Sequence, residues 1–258
     1  MSGWRWQHAR GVWRARLMRA DKRNALTRAM WTELSEWLHE LPGTARLVVI
    51  EAEGEHFSAG ADIAELREHL QDRAWMLANH AQVQAAQRLL ASLPCPTLAV
   101  IRGCCFGGGL GLASACDLRI AAEDARFAIT PVKLGLQYSM ADTRRLLRMV
   151  GWAQAHAMLY TGAEVGALQA HAQGWVQRLA SSDALEQAAE ALIESLRAAP
   201  PATLRGLKAT LAAIAAGAGD DDAAAEQRFA DAFAAPEFQE AAAAFLERRP
   251  PRFDGTDS

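Results

Sequence analysis

Three short apolar runs, separated by segments with helical periodicity, constrain the fold of this chain more than any other feature. They occupy 47–50, 96–101 and 118–121. Runs of this length between turn residues are typical of strands that are buried on both faces of a sheet. Apolar residues recur at helical spacing in the segments 27–38 and 73–93. This alternation of strand and helix predicts parallel βαβ units, and therefore an α/β fold.

The two ends of the chain depart from this alternation. Residues 4–17 form two strand-like segments split by Gly11, which predicts a hairpin. From about Met140 onward the pattern is almost wholly helical and rich in alanine.

Two prolines divide the helical part of the chain. Pro200 and Pro201 stand between two helical segments. We therefore expect a core over 1–198 and a C-terminal helical region, involved in oligomerisation, over 199–258. Within that region the alanine-rich stretch 209–225 contains two glycines and three aspartates, and we expect a flexible connection between helices there.

The composition is that of a packed globular protein. Of the 258 residues, 51% are hydrophobic and 22% are charged, and the formal net charge is −3. No run of Lys or Arg indicates a nucleic-acid partner, and no apolar stretch indicates a membrane span. Three arginines one helical turn apart are expected to form a solvated face: Arg144, Arg145 and Arg148.

The cysteines lack the spacing of a metal site or a disulfide framework. We expect them to be small buried side chains in a reducing cytosol, and they are Cys95, Cys104, Cys105 and Cys116. The N-terminal segment has no apolar run of the kind that a signal peptide carries. These features together predict a cytoplasmic protein without a bound metal.

Two glycine-containing turns have the pattern of a reactive site. Each one, 57–63 and 103–110, follows a strand and precedes a helix. Glycine lets a backbone approach a ligand closely, and the first amides of a helix have no internal acceptor. Two such amides aimed at one point form an oxyanion hole. Either turn alone is equally consistent with a tight connection, and neither carries the GxGxxG or GxxxxGK(S/T) pattern of a nucleotide site.

A series of motifs resembles the enoyl-CoA hydratase/isomerase (crotonase) family over about residues 12–250. These motifs are Asn24-Ala25-Leu26, Phe57 to Ile63 with Glu65, Gly107 to Gly109 followed by Cys116-Asp117, Thr161-Gly162, and the ending Ala244 to Pro250. The resemblance implies a crotonase-like spiral of repeated ββα units. It also implies C-terminal helices that pack on or reach into neighbouring subunits, in a homotrimer or a dimer of trimers.

The same resemblance implies which residues bind an acyl-CoA thioester. Ala61 and Gly108 match the two residues whose amides hold the thioester oxygen. Phe245 and Arg248 match residues that contact coenzyme A from the C-terminal helix, often across a subunit boundary. Six more positions match segments that contact coenzyme A: Ala25, Leu26, Ser58, Ala59, Asp62 and Ile63. No cofactor is implied beyond the coenzyme A of the substrate.

Acidic residues near these turns have a structural explanation. Asp62 and Glu65 are expected to cap the helix that begins near Ala61, because acidic side chains favour a first helical turn. Asp117 is expected to be a structural turn residue.

The chain departs from the family pattern at the two positions where hydratases carry glutamates. Water addition needs one group that deprotonates water and another that delivers a proton to the α-carbon. Gly111 and Val132 occupy those positions, and Ser139 stands where dehalogenase-type members have an aspartate. The sequence therefore predicts an oxyanion hole without the usual acid and base.

Four polar residues remain near this loop: Thr130, Tyr138, Ser139 and Asp142. Ser139 and Asp142 have the spacing of a helix cap. Tyr138 is the candidate catalytic residue because a phenol donates a hydrogen bond or a proton, with core packing as the alternative. The stretch 130–138 is similar to the methylmalonyl-CoA decarboxylase branch, although that branch generally keeps the glutamate that is Gly111 here.

Three functions are consistent with these residues. The first is an acyl-CoA enzyme, of the lyase or isomerase class, that stabilises an enolate without a carboxylate base, with decarboxylation as the leading reaction. The second is an enoyl-CoA hydratase or isomerase of fatty acid metabolism that uses a substitute acid or base such as Tyr138 or Asp142. The third is a catalytically silent acyl-CoA-binding protein.

Overall fold

The computed structural model describes residues 3–253 and confirms the α/β fold. Six strands form one sheet in the order β1-β2-β3-β4-β6-β9, and three short strands form a second sheet in the order β5-β7-β8. The strands are β1 (Trp4–Ala9), β2 (Val12–Leu17), β3 (Leu47–Ala52), β4 (Thr97–Ile101), β5 (Cys104–Phe106), β6 (Leu118–Ala122), β7 (Arg126–Ala128), β8 (Val165–Gly166) and β9 (Arg178–Ala180).

Helices connect and cover these sheets. They are α1 (Arg28–His39), α2 (Ile63–Glu68), α3 (Arg73–Ser92), α4 (Gly108–Ser114), α5 (Met140–Thr161), α6 (Ala167–Ala172), α7 (Leu185–Ala198), α8 (Pro201–Ala216), α9 (Ala223–Ala232) and α10 (Pro236–Glu247). Helix α5 is kinked at Gly151, whose φ of 73° is not helical. The prolines predicted to separate helices do so between α7 and α8.

The predicted N-terminal hairpin is present. Strands β1 and β2 are antiparallel, and Arg10 and Gly11 between them have φ values of 52° and 75°. Two consecutive left-handed residues give the turn whose twist matches that of the flanking strands. Every other neighbouring pair in the large sheet is parallel.

The large sheet is buried on both faces, as its apolar runs predict. Val48 and Ile50 of β3 lie in the core that includes α1, α3 and α4. Leu47 and Val49 of the same strand lie in a second cluster on the opposite face, under α7. Successive strand residues point to opposite faces, so an uninterrupted apolar run fills both layers.

The helix boundaries follow local signals. Thr27 caps α1, and its side chain accepts a hydrogen bond from the amide of Met30 at 3.3 Å. Helix α3 ends two residues before Pro94, because the residue before a proline is driven out of helical geometry.

The predicted flexible connection over 209–225 is too long. Helix α8 continues to Ala216 and α9 begins at Ala223, so only 217–222 connect them. The alanines on either side are helical because alanine has the highest helix propensity. Gly217 ends α8 with a φ of 97°, a left-handed conformation that glycine adopts without strain.

Asp117 joins the first C-terminal helix to the core. Its Oδ2 accepts hydrogen bonds from the amide of Thr97 at 2.8 Å and from Lys208 Nζ on α8 at 2.7 Å. The structural role predicted for Asp117 is confirmed.

No helix between Gly3 and Phe253 combines the length and the apolar character that crossing a bilayer requires.

Candidate functional site

The two glycine turns are hydrogen-bonded to each other. Ser58 forms an isolated parallel bridge with Cys105. The Ser58 amide donates to the Cys104 carbonyl, and the Phe106 amide donates to the Ser58 carbonyl, both at 2.9 Å. The two turns, more than 40 positions apart in the sequence, therefore lie side by side.

This close approach requires glycine at two positions. A Cβ on Gly109 would lie 2.7 Å from the Ser58 Cβ, which is too close for two carbons. A Cβ on Gly60 would lie 2.9 Å from the Phe106 carbonyl oxygen, and Gly60 has a left-handed φ of 100°. Any larger residue would push the two turns apart.

The amides of Ala61 and Gly108 lie on the same surface where the turns meet. A Cβ built on Gly108 would be 3.7 Å from the Ala61 nitrogen. Neither amide has a hydrogen-bond acceptor within residues 3–253. The residues on either side of Ala61 form hydrogen bonds with Leu26, but the Ala61 amide does not. Gly108 is the first residue of α4, where an amide has no acceptor inside the helix. Two free amides side by side are the geometry that stabilises a developing negative charge on oxygen.

A buried scaffold under the first turn holds Ala61 in place. The Ser58 hydroxyl donates to the Asn24 carbonyl at 2.8 Å and accepts from the Gly60 amide at 3.1 Å. The Leu26 amide donates to the Gly60 carbonyl at 2.7 Å, and the Asp62 amide donates back to the Leu26 carbonyl. Segment 24–26 therefore runs alongside the turn.

The residues expected to contact coenzyme A differ in accessibility. Ile63 is exposed, Ala25 and Ala59 are half-buried, and the side chains of Leu26 and Ser58 are fully buried. Contact of the last two with coenzyme A would be through the backbone. Their roles stay predictions.

The predicted capping role of Asp62 is confirmed. Its carboxylate accepts from the amide of Ala64 at 3.0 Å and pairs with Arg19 at 2.9 Å. Burial would raise the pKa of Asp62, but the hydrogen bonds from Arg19 and from the α2 amides outweigh it and lower this pKa. Glu65 lies in the first turn of α2, yet its side chain accepts from the Arg28 amide at the start of α1, so it caps a different helix from the one expected.

A glutamine fills the space beside Gly111. A Cβ on Gly111 would lie 2.5 Å from Nε2 of Gln87, which projects from α3. Both residues are buried. A neutral amide from another helix therefore occupies the space beside the position that the resemblance assigns to the first glutamate.

Val132, at the position that the resemblance assigns to the second glutamate, faces solvent. Val132 lies in a single 3₁₀ turn, Pro131–Leu134, and is 41% exposed. Leu134 and Leu136 of the same loop are also exposed. The loop presents apolar side chains and no acidic group.

A buried network of polar side chains lies behind Gly111 and joins α3 to α5. Gln84 Nε2 donates to Asp142 at 2.7 Å, and Arg145 Nη2 donates to Asp142 at 2.7 Å and to Gln84 at 2.9 Å. Arg145 Nη2 also donates to Oε1 of Gln87. The Ser139 hydroxyl donates to Asp142 at 2.5 Å. We call these five residues the polar network.

The network corrects one prediction and confirms another. Arg145 does not belong to a solvated face, because its side chain is only 14% exposed and pairs with Asp142. Arg144 and Arg148 are exposed, as predicted. Ser139 is the N-cap of α5 and accepts from the Asp142 amide at 3.1 Å, which confirms the capping pattern.

Sequence reasoning missed Gln84 and Gln87. Both lie on the buried face of α3, together with Ala86 and Leu90. The signal that could have revealed them is a pair of amides three residues apart within an apolar helical face, because buried polar groups need partners.

Tyr138 lies at the edge of the polar network. Its ring packs against the main core, and its hydroxyl has no hydrogen-bond partner in residues 3–253. Burial raises the pKa of the Tyr138 phenol, and the nearby Asp142 carboxylate raises it further. The phenol is therefore protonated at neutral pH.

Phe245 and Arg248 lie at the C-terminal end of α10. Phe245 is 83% exposed near the end of α10, and Arg248 is the left-handed residue that ends this helix. Their contact with coenzyme A stays a prediction.

Comparison with known proteins gives one consistent relationship. The family model described as Enoyl-CoA hydratase/isomerase matches residues 7–256. A Bacillus subtilis (strain 168) protein named "Probable enoyl-CoA hydratase" is 36% identical over 237 residues, which cover 90% of this chain and 91% of that protein. The mitochondrial Delta(3,5)-Delta(2,4)-dienoyl-CoA isomerase of Mus musculus is 30% identical over 78% of this chain and 65% of its own length.

A solved structure shares the architecture of this chain. The crystal structure of an enoyl-CoA hydratase from Mycobacterium smegmatis has a TM-score of 0.90 at 31% identity, covering 98% of this chain and 99% of that one. These names give no support to the methylmalonyl-CoA decarboxylase branch that the loop 130–138 resembles.

Proposed function

The chain belongs to the enoyl-CoA hydratase/isomerase (crotonase) family, and from that premise we propose that it stabilises the enolate of an acyl-CoA thioester without a catalytic carboxylate at either glutamate position. The proposed reaction is decarboxylation of a malonyl-type thioester. The amides of Ala61 and Gly108 would bind the thioester oxygen.

The observation that carries this proposal is the Gln87 amide beside Gly111. A Cβ at position 111 would lie 2.5 Å from Gln87 Nε2, so the space of an acidic side chain is taken by a neutral donor. An amide donates hydrogen bonds but does not accept a proton from water at neutral pH. Hydration, which needs that proton transfer, is disfavoured, while enolate stabilisation is not.

Decarboxylation needs only what the site retains. The bond between the α-carbon and the carboxylate carbon breaks, and carbon dioxide leaves. The electron pair forms the carbon–carbon double bond of the enolate, whose oxygen carries the charge between the two amides. The α-carbon then takes a proton, and the product is an acyl-CoA one carbon shorter.

We propose Tyr138 as the donor of that proton. Its phenol is kept protonated by burial and by the neighbouring Asp142 charge, and its hydroxyl is not engaged by any described residue. The raised pKa makes this phenol a weaker acid, but the α-carbon of a thioester enolate is far more basic than a phenolate, so the phenol would still deliver the proton.

An enoyl-CoA hydratase or isomerase remains the second candidate. The names of the relatives favour it. Such an enzyme would have to recruit Tyr138 or Asp142 in place of the glutamates. Asp142 is poorly placed for proton transfer because three network partners already occupy its oxygens.

A panel of thioesters tests this function. Malonyl-CoA and methylmalonyl-CoA are expected to release carbon dioxide, measured with a coupled bicarbonate assay and by mass of the product. The Tyr138→Phe variant is expected to lower that turnover at least about tenfold with nearly unchanged thioester affinity, because only the transition state would use the hydroxyl.

Crotonyl-CoA hydration and enoyl isomerisation are measured in the same panel. If no carbon dioxide is released and crotonyl-CoA is hydrated, the second candidate is established and the first is refuted. Binding of every thioester without turnover would leave only the binding function. Full activity of Tyr138→Phe would show that the tyrosine serves core packing alone.

We also propose that the C-terminal helices assemble the protein into a homotrimer or a dimer of trimers. Four phenylalanines there are at least 52% exposed in the single chain, namely Phe229, Phe233, Phe238 and Phe245. A large apolar surface of this kind is typical of a protein interface. Sedimentation velocity at micromolar concentration is expected to give three or six times the monomer mass, and a monomer would refute the proposal.

A further inference from the structure

Gln87 offers one directed hydrogen-bond donor for which residues 3–253 provide no acceptor. The residue is 1% exposed, and its Oε1 accepts from Arg145 Nη2. A guanidinium only donates, so the amide oxygen is fixed toward Arg145 and the amide nitrogen toward Gly111. A Cβ on Gly111 would lie 2.5 Å from that nitrogen.

The polar network keeps this orientation. Gln84 and Asp142 hold Arg145 at 2.9 and 2.7 Å, and Gln84 is itself bonded to Asp142. Rotation of the Gln87 amide would place its NH₂ group against a cation and remove an acceptor from Arg145. The network therefore decides which end of the amide faces Gly111.

This donor is not completely shielded from solvent, although the residue as a whole is only 1% exposed. Residues 3–253 provide no acceptor for Gln87 Nε2. Arg145 Nε is also unpaired, but it is fully buried, and Gln87 Nε2 is not. A buried donor that lacked both water and an acceptor would cost free energy. The position of Nε2 instead leaves it able to meet an acceptor supplied from outside the chain.

The donor lies beside the proposed oxyanion site. Gly108 and Gly111 are three residues apart on α4, and residues at that spacing share one face of a helix. The Cβ position of Gly108 lies 3.7 Å from the Ala61 nitrogen and that of Gly111 lies 2.5 Å from Gln87 Nε2, so the Gln87 amide is about one helical turn along α4 from the place where the two turns meet. A thioester whose oxygen meets Gly108 would have its α-substituent near this donor.

We propose that Gln87 Nε2 binds the carboxylate on the α-carbon of the substrate, so that the site selects α-carboxyacyl thioesters over simple acyl thioesters. This inference rests on the proposed function and names its substrate class. A neutral amide orients the carboxylate with one hydrogen bond, and it lacks the positive charge that would hold the ionised group in place and oppose loss of carbon dioxide.

The test uses two probes that undergo no decarboxylation. Sulfoacetyl-CoA carries an anionic acceptor on the α-carbon, and acetyl-CoA does not. Calorimetry on the full-length protein is expected to show tighter binding of sulfoacetyl-CoA. Gln87→Leu is expected to lower this preference about tenfold or more, as loss of a hydrogen bond to a charged group would, without changing acetyl-CoA affinity.

Gln82→Leu is the matched control. Gln82 lies on the same helix, and its amide bonds to Ser35 rather than to the network. The control is expected to keep the wild-type preference. If Gln87→Leu fails to fold, Gln87→Glu provides a second variant, because its carboxylate still accepts from Arg145. Its negative charge is expected to abolish the preference for sulfoacetyl-CoA.

The outcomes separate this inference from the proposed function. An equal affinity of the wild type for both probes, or an unchanged preference in folded Gln87→Leu or Gln87→Glu, would overturn the inference even if malonyl-CoA is decarboxylated. A preference that depends on Gln87, found together with no carbon dioxide release, would support the inference and overturn the proposed reaction.

Discussion

Replacing Gly108 with proline is expected to lower turnover of the thioester substrate by about 10²–10³-fold, the usual effect of removing one oxyanion-hole donor. Proline has no amide hydrogen, so the substitution removes the donor itself. The fold should tolerate it, because Gly108 is the first residue of α4 and proline is favoured at that position. Steady-state rates with the substrate identified in the panel provide the measurement.

Gly108→Ala is the control for this variant. It adds a Cβ, which would meet its nearest atoms at 3.7 Å, an ordinary contact distance, and it keeps the amide. The alanine variant therefore controls for the added Cβ, and the proline variant reports the loss of the donor together with the filling of its place by the ring Cδ. Equal rates for the two would show that the Gly108 amide does not bind the thioester oxygen.

Restoring glutamates at positions 111 and 132 is expected to create crotonyl-CoA hydration only when Gln87 is removed. We expect the triple variant Gln87→Ala/Gly111→Glu/Val132→Glu to raise hydration at least about 10²-fold over the wild type, the usual contribution of a placed acid or base. With Gln87 retained, the new side chain at position 111 would compete with the Gln87 amide, and the rate should stay near background. The loss of crotonyl-CoA absorbance measures the hydration rate of the variants with and without Gln87.

The same competition should be visible in stability. Gly111→Glu alone is expected to lower the free energy of unfolding by about 1–3 kcal/mol, as overpacking of a core does. Because the two side chains share one space, the double variant Gln87→Ala/Gly111→Glu should be more stable than additivity predicts. Additive effects in urea unfolding, or equal hydration with and without Gln87, would contradict this account of position 111.

Much of the fold was predictable from local patterns. The run Leu47 to Ile50 predicted a strand buried on both faces, Gly11 predicted a hairpin, and Thr27 predicted a helix start. Each of these depends on the conformational preference of a few consecutive residues, which the sequence carries directly. The connection between α8 and α9 was predicted too long, because the high helix propensity of the alanines on either side extends both helices toward Gly217 and Asp222.

The sequence by itself also determined which residues occupy the two positions that the resemblance assigns to the hydratase glutamates. Gly111 and Val132 are visible without coordinates, and so are the glycines that let the two turns approach each other. The free amides of Ala61 and Gly108 follow from their place at strand-to-helix turns. These features depend on residue type and position along the chain.

Only the tertiary structure decided what stands in place of the missing acid. Gln84 and Gln87 are 58 to 61 positions from their partners on α5, and no local preference links such residues. The same long-range contacts moved Arg145 from a predicted solvated face into the buried network. A side chain's role as cap, pair or donor depends on which helices pack together, and that packing is a property of the whole fold.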